Sequence, residues 1–184
     1  MSKIFPVLES GDIRIVKFER KHLTQRYVSW LNDPEVVKFS EQRYYEHTLA
    51  TCTSYFEAVE KTTDHFLAIE ALTPNLGHIG NIGVAIDIHN RVADMSIIVG
   101  EKKAWGTGLA TTAWSAVLRE LLMNQGIRKV TAGTMAMNES MLRLMKRSGM
   151  KIEARRARHF IWEGKEVDLV QSAIFNNELM SISN

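Results

Sequence analysis

The stretch Glu101-Lys102-Lys103-Ala104-Trp105-Gly106-Thr107-Gly108-Leu109-Ala110 constrains this chain more than any other. The apolar run Met95 to Val99 predicts a strand leading into it. A helical pattern from Leu109 to about Asn124 leads out. Two glycines one residue apart at such a junction let the backbone turn tightly and leave N–H groups unobstructed. A helix start adds unpaired N–H donors and the positive end of its dipole. The junction is therefore a candidate seat for a phosphate or pyrophosphate. Glycine spacing alone fits a plain tight turn equally well, so the rest of the chain has to decide.

Read in order, Ile13 to Phe18 partly alternates apolar and charged residues and predicts a first strand. His22 to Leu31 carries Leu23, Tyr27, Trp30 and Leu31 at helical spacing. Asn32-Asp33-Pro34-Glu35 predicts a helix stop and restart, with Asp33 as cap and Pro34 in the first helical position. Ser40 to His47 is a tyrosine-rich loop, and Thr48 to Lys61 a second helix. His65 to Glu70, His78 to Ile88 and Val92 to Val99 are strands, with Gly80 and Gly83 as bulges or close-approach points. After the glycine junction and its helix come a short strand from Arg128 to Thr134 and a short helix from Asn138 to Arg147. Ser148-Gly149 closes that helix. Two last strands, Met150 to Ile161 and Lys165 to Phe175, are joined at Trp162-Glu163-Gly164. The order β-α-α-β-β-β-α-β-α-β-β makes an α+β, mixed α/β fold. Its sheet has about seven strands, is mostly antiparallel, and is flanked by helices.

The 184 residues fit one domain, 1–184, with a full core. A net charge of +2 gives no global field for nucleic acid or an anionic membrane, so neither is an expected partner. The single cysteine, Cys52, excludes an internal disulfide and a cysteine-rich metal site, and no metal is expected. Met1 to Pro6 lacks the apolar core of a signal peptide, and no run approaches the length of a membrane helix. Together these point to the cytoplasm.

The element order, with its glycine turn after the fourth strand, resembles the GNAT acetyltransferase superfamily. That family's phosphate-loop pattern is Arg/Gln-x-x-Gly-x-Gly/Ala. Here it reads Lys103-Ala104-Trp105-Gly106-Thr107-Gly108, with lysine as a departure in the first place. Trp105-Gly106-Thr107-Gly108-Leu109-Ala110 and Trp30-Leu31-Asn32-Asp33-Pro34-Glu35-Val36 are similar to the RimJ/RimL-type branch. So are Asn138 with Gly149-Met150, and Gly164 with Asp168 in the closing hairpin. The resemblance implies acetyl-CoA as donor and a primary amine of a small molecule as acceptor. It implies pyrophosphate on the N–H groups of Lys103 to Gly108 at the helix that starts with Leu109 and Ala110. It implies the pantetheine arm beside the backbone of Ile97, Ile98 and Val99, where a bulge splays the fourth strand from the fifth. Asn138 is implied as a side-chain contact to the donor; a plain helix cap accounts for it as well.

Transfer to an amine needs a neutral nitrogen, and an alkylamine is mostly protonated at neutral pH, so a base is required. Asp94 is the leading candidate. Alternation puts it on one face with Ser96 and Ile98, so Asp94 and Ser96 are the candidate catalytic residues. A solvated hairpin carboxylate is the plainer alternative for Asp94. His78 and His89 are weaker candidates as bases. Many family members carry a tyrosine acid seven residues after the asparagine; here Met145 stands there. Ser140 reads as a helix-start hydroxyl, and Tyr44 and Tyr45 as packing residues of the acceptor loop. Arg155-Arg156-Ala157-Arg158 reads as a solvated strand, Arg156 and Arg158 facing one way and Arg155 and Ala157 the other. The alternative is a contact to an anionic acceptor such as a nucleotide-linked amino sugar. Two other functions stay open: a protein N-terminal acetyltransferase, and a catalytically weak acetyl-CoA-binding module. The closing hairpin is also suited to extend the sheet of a second copy into a homodimer.

Overall fold

The computed structural model describes residues 5–178. Met1 to Ile4, most of the stretch weighed above as a leader, lie outside the described residues. Among the described residues the strands are β1 (Leu8–Ser10), β2 (Ile13–Lys17), β3 (His65–Ala71), β4 (Gly77–Asp87), β5 (Val92–Val99), β6 (Lys129–Met135), β7 (Lys151–Trp162) and β8 (Lys165–Phe175). The helices are α1 (Gln25–Leu31), α2 (Leu49–Val59), α3 (Leu109–Met123) and α4 (Glu139–Arg147). The strands form one eight-stranded sheet in the order β1-β2-β3-β4-β5-β6-β8-β7. Every neighbouring pair is antiparallel except β5 with β6. The eighth strand, absent from the sequence reading, is the three-residue β1, too short to show a period. It folds back on β2 through Gly11.

Each face of the sheet buries its own core. On one face α3 and α4 lay Trp114, Val117, Leu118, Leu121, Leu144 and Met145 against Ile13, Ile15, Leu67, Ile82, Met95 and Val130. On the other, α1 and α2 lay Tyr27, Val28, Trp30, Leu31, Cys52 and Phe56 against Phe18 and Ala68, with Phe66 and Ile98 alongside. Both faces of β3 and β4 are thus covered, which is why their sequences are almost continuously apolar. The helices start where side chains accept their free N–H groups. The Thr24 hydroxyl accepts from Tyr27 N–H at 3.2 Å, Thr48 forms a capping box with Thr51, and Asn138 accepts from Met141 N–H at 3.2 Å.

Three expectations need correction. No helix restarts at Pro34. The Asp33 carboxylate accepts from Glu35 N–H at 2.9 Å, and Val37 N–H closes a single turn on the Asp33 carbonyl. Asp33 therefore caps as expected, but the turn does not propagate: Ser40 N–H closes a tighter three-residue turn on the Val37 carbonyl at 2.8 Å. The expected bulge does not fall within β5, whose register to β4 is unbroken from Val92 to Val99; it falls just past the strand, where Gly100 and Glu101 N–H both donate to the Ile79 carbonyl at 3.0 Å. A second irregularity lies on β4, where the pairing with β3 shifts between Ile69 and Glu70, beside Gly80. Finally, the arginines of β7 do not alternate. Between Arg156 and Phe160 the strand bulges, with Arg158 at φ 53°. Asp168 gathers the bulge: its carboxylate accepts from Arg155 Nε at 2.7 Å and from Arg158 N–H at 2.9 Å. Those two bonds hold the Asp168 carboxyl below the usual carboxylate range.

Gly100, just past β5, fixes how α1 sits on the sheet. A Cβ there would lie 2.0–2.4 Å from indole carbons of Trp30. Trp30 is buried and cannot retreat. Gly100→Ala should therefore overpack the α1 face and cost about 3 kcal/mol, at the upper end for one added methyl. The thermal midpoint should fall on the order of 10 °C by calorimetry.

Candidate active site

The site is a fork. β5 and β6 run parallel and pair only at Val92–Lys129, Ala93–Val130 and Asp94–Thr131. Beyond Asp94 they diverge. The phase of the β4–β5 ladder decides what β5 shows to the opening. Gly100 N–H donates to the Ile79 carbonyl, which makes Gly80–Val99 a non-bonded pair and Asn81–Ile98 a bonded one. Alternation then turns the backbone groups of Ile98 and Ser96 toward β4, and those of Ile97 and Val99 into the gap. The indole Nε1 of Trp105 donates to the Val99 carbonyl at 2.8 Å. Of the three residues expected along the arm, Ile97 and Val99 thus present backbone groups to the gap. Ile98 contributes its side chain to the α1 face.

At the open end of the fork lies the glycine loop. Lys102–Ala104 form a 3-10 turn, capped where the Glu101 carboxylate accepts from Lys103 N–H at 3.2 Å. Ala104 is buried and anchors the turn in the core, joined by Leu109 and Ala110 at the start of α3. Gly106 and Gly108 have φ of 75° and 91°, which side chains rarely adopt, and nothing lies within 4 Å of a Cβ on either. Unlike α1, α2 and α4, α3 begins on a residue with no side chain to cap it, Gly108; the Thr107 hydroxyl accepts only from Leu109 N–H, at 3.4 Å. The backbone N–H groups of Gly106, Thr107 and Gly108 have no acceptor among the described residues, while Thr107 spends its hydroxyl on the Ala104 carbonyl at 2.7 Å. Lys102 is pulled aside by Asp33 at 2.7 Å and by Glu35. Lys103 has no carboxylate partner among the described residues and remains a cation beside the loop. Unpartnered donors, an uncapped helix start and a nearby ammonium fit a pyrophosphate. The open edge of β5 fits an extended amide-bearing arm.

Asp94 stands at the crotch of the fork, in the last pair before the strands part. It shares the face of Ser96 and Ile98, as alternation predicts, while Ala93 and Met95 enter the opposite core. Thr131 Oγ1 donates to its carboxylate at 2.5 Å. The side chain as a whole is exposed to solvent on the α1 face of the sheet. Burial pushes its pKa above the usual carboxylate value, against the lowering by Thr131. Ser96 lies over Gly83 of β4, its hydroxyl 2.8 Å from where a Cβ of Gly83 would stand.

Asn138 caps α4 with its carbonyl oxygen and donates from Nδ2 to Thr134 at 2.9 Å. Met145 is 1% exposed and belongs to the α3–α4 core. Ser140 is exposed at the start of α4. His78 is no base. Packed among the rings of Phe18, His22, Tyr27 and Trp30, it is pushed down to about 4 by burial. Its Nε2 is engaged with the Gly80 carbonyl and Asn81 Oδ1. His89 is exposed in the β4–β5 turn, far along the strand from the gap. The Tyr44 hydroxyl donates to the Ile161 carbonyl at 3.2 Å, and Trp162 Nε1 to the Lys38 carbonyl at 3.2 Å. The segment from Asp33, held at Lys102, to Tyr44, held at Ile161, therefore spans from the glycine loop past β5 to the edge strand β7. Thr131 and this bridge escape a reading by sequence. Both depend on contacts between residues 37 to 124 positions apart.

The Acetyltransferase (GNAT) domain family matches residues 12–151. Among solved structures, spermidine N-acetyltransferase from Vibrio cholerae in complex with CoA and spermine superposes with a TM-score of 0.82 at 16% identity, over 92% of this chain and 98% of that one. The GNAT-family acetyltransferase from Bacillus anthracis gives 0.79 at 16% identity, over 94% and 99%. At such identities the likeness is one of fold. No curated protein sequence matches the chain significantly. No helix among the described residues is long and apolar enough to cross a membrane. The family match spans the fork, the glycine loop and α4, and the chain belongs to the GNAT acetyltransferases, enzymes that take the acetyl group from acetyl-CoA.

Proposed function

We infer that this protein acetylates a primary amine of a small molecule by direct attack within a ternary complex, with Asp94 as general base. The observation that carries this reading is the position of Asp94: a carboxylate with a raised pKa, on the cleft face, where β5 leaves β6. Acetyl-CoA, when bound, supplies an acyl thioester with a thiol leaving group. The N–H groups of Gly106, Thr107 and Gly108, with Lys103, hold the pyrophosphate. Leu109 and Ala110 shape the seat, Ala104 anchors it, and Trp105 stands between it and β5. Ile97 and Val99 offer backbone partners for the arm and a donor for the thioester oxygen. Asp94 removes a proton from the incoming ammonium, directly or through water. The amine nitrogen then forms the new C–N bond as the C–S bond breaks, and gives its second proton to water. Ser96, beside Asp94, is placed to orient the amine or that water. Asn138 keeps one Nδ2 hydrogen for the donor. Met145 gives no acid, so the thiolate takes its proton from solvent.

The bridge from Asp33 to Tyr44 bounds the acceptor side and favours a small acceptor over the terminus of a folded protein. Within that class, an amino sugar or nucleotide-linked amino sugar and a polyamine such as the spermine held by the Vibrio structure are both amines of suitable size. The Trp105-to-Ala110 and Trp30-to-Val36 motifs support a reading of the chain as RimJ/RimL-type. Thiol release from acetyl-CoA, measured in parallel with amino sugars, nucleotide-linked amino sugars, polyamines and N-terminal peptides, tests the reading. Turnover with the small amines is the expected result. Turnover confined to peptides, or none with any amine, would overturn it.

A further inference from the structure

Trp105 is the aromatic residue of the glycine loop, and 43% of it is exposed. The indole is nonetheless fixed. Its N–H donates to the Val99 carbonyl at 2.8 Å, and the Lys102 ammonium lies 5.8 Å from the ring centroid, within cation–π reach. Lys102 is in turn tied to Asp33 and Glu35. Core packing does not explain an aromatic ring that is held firmly yet left in solvent. Its position does. Residue 105 stands between the unpartnered N–H groups of Gly106 to Gly108 and the open edge of β5. Anything that reaches from one to the other passes the indole. The indole also engages one acceptor of that edge. With the Val99 carbonyl already engaged by the indole, Val99 offers the gap a free N–H and only one remaining lone pair, whereas Ile97 offers N–H and carbonyl both unengaged.

We propose that Trp105 sets the register of the donor's arm on β5: its indole walls the path from the phosphate seat and, by occupying the Val99 carbonyl, directs the arm's first amide donor onward to Ile97. The proposal rests on the donor seat described under the proposed function. An amide-bearing arm has several ways of pairing with a bare strand edge, and a one-place slip would carry the thioester past Asp94 or stop it short. Engaging one carbonyl disfavours the nearest wrong pairing.

Isothermal titration with two ligands tests this. CoA carries the arm; adenosine 3′-phosphate 5′-diphosphate keeps the pyrophosphate and lacks it. Trp105→Phe keeps a ring and loses the N–H. It should bind CoA about 5–10-fold more weakly, the worth of one well-formed hydrogen bond. Trp105→Ala should lose about 30-fold or more, having lost the wall as well. Both variants should bind the armless diphosphate within about twofold of wild type, which also shows that the loop is still folded. Equal weakening toward both ligands would overturn the proposal, because the indole would then serve only the shape of the loop. CoA affinity unchanged or tightened in Trp105→Phe would overturn it too, since the indole would be irrelevant to the arm or in its way. Wild-type protein that fails to bind the armless diphosphate would instead refute the seat itself.

Discussion

Gly108→Val should lower CoA affinity about 100-fold while leaving the fold in place. The reasons separate cleanly. Gly108 has φ of 91°, and a Cβ on it would meet nothing within 4 Å. The free protein therefore suffers no clash. It bears only the backbone strain of a β-branched residue in the left-handed region, roughly 1–3 kcal/mol. Part of that strain is relieved if the loop relaxes toward negative φ. Relaxation, however, swings the N–H groups of Gly106, Thr107 and Gly108 away from a common point, and the valine methyls stand where a phosphate would approach. Each charge-assisted bond lost there is worth about 1.5–3 kcal/mol, so losing one or two accounts for the factor of 100. Titration calorimetry with CoA, set beside a thermal melt, reads both quantities. A variant that melts within a few degrees of wild type and still binds CoA with wild-type affinity would show that the phosphate sits elsewhere.

Asp94→Asn should reduce kcat by about 100-fold or more, the usual worth of a positioned general base. The amide keeps the shape of the side chain and an oxygen for the Thr131 hydroxyl, but cannot take a proton. The raised pKa of Asp94 fixes the sign of two further effects. The base works only when ionised, so the acid limb of kcat/KM in the wild-type enzyme should lie above the ordinary aspartate value. That limb should be absent from the residual rate of the variant. For stability, the folded carboxyl holds its proton more tightly than the unfolded one. As pH rises from the ordinary value through the raised one, the unfolded chain ionises first and stability is lost. Above both values the loss is complete. An uncharged amide never incurs it, so Asp94→Asn should be at least as stable as wild type at pH 7 while nearly inactive. A variant that is destabilised at pH 7, or retains full kcat, would remove Asp94 from the role of base.

The legible parts of this molecule were those written in short-range chemistry. Gly106 and Gly108 marked the loop because no other residue takes their φ cheaply. Asp94, Ser96 and Ile98 fell on one face because a strand alternates whatever its neighbours. Asn138 announced the start of α4 because a cap bonds within one turn. What escaped depends on partners far away in the chain. Whether Ile97 or Ile98 turns its backbone to the gap is decided by β4, through the bond from Gly100 to Ile79. The arginines of β7 looked like a regular strand because the carboxylate that bends it, Asp168, lies ten residues beyond Arg158 on the opposite strand. The end of α1 was misread for a different reason. Asp33 and Pro34 do start a turn, but a cap and one turn do not make a helix: at Val37 the chain turns into Ser40 instead of continuing.

The fork gives neighbouring residues of β5 opposite fates in deuterated water. Ser96 and Ile98 amides are locked to β4 and exchange only when that ladder opens; Ile97 and Val99 amides look into the gap and exchange as exposed ones do. One strand thus carries alternating slow and fast positions, an alternation that disappears once the gap is filled. A bare strand edge of this kind, at the rim of a sheet, invites pairing with another protein chain. Here the edge lies inside the sheet, at the parting of β5 from β6, and not at a rim.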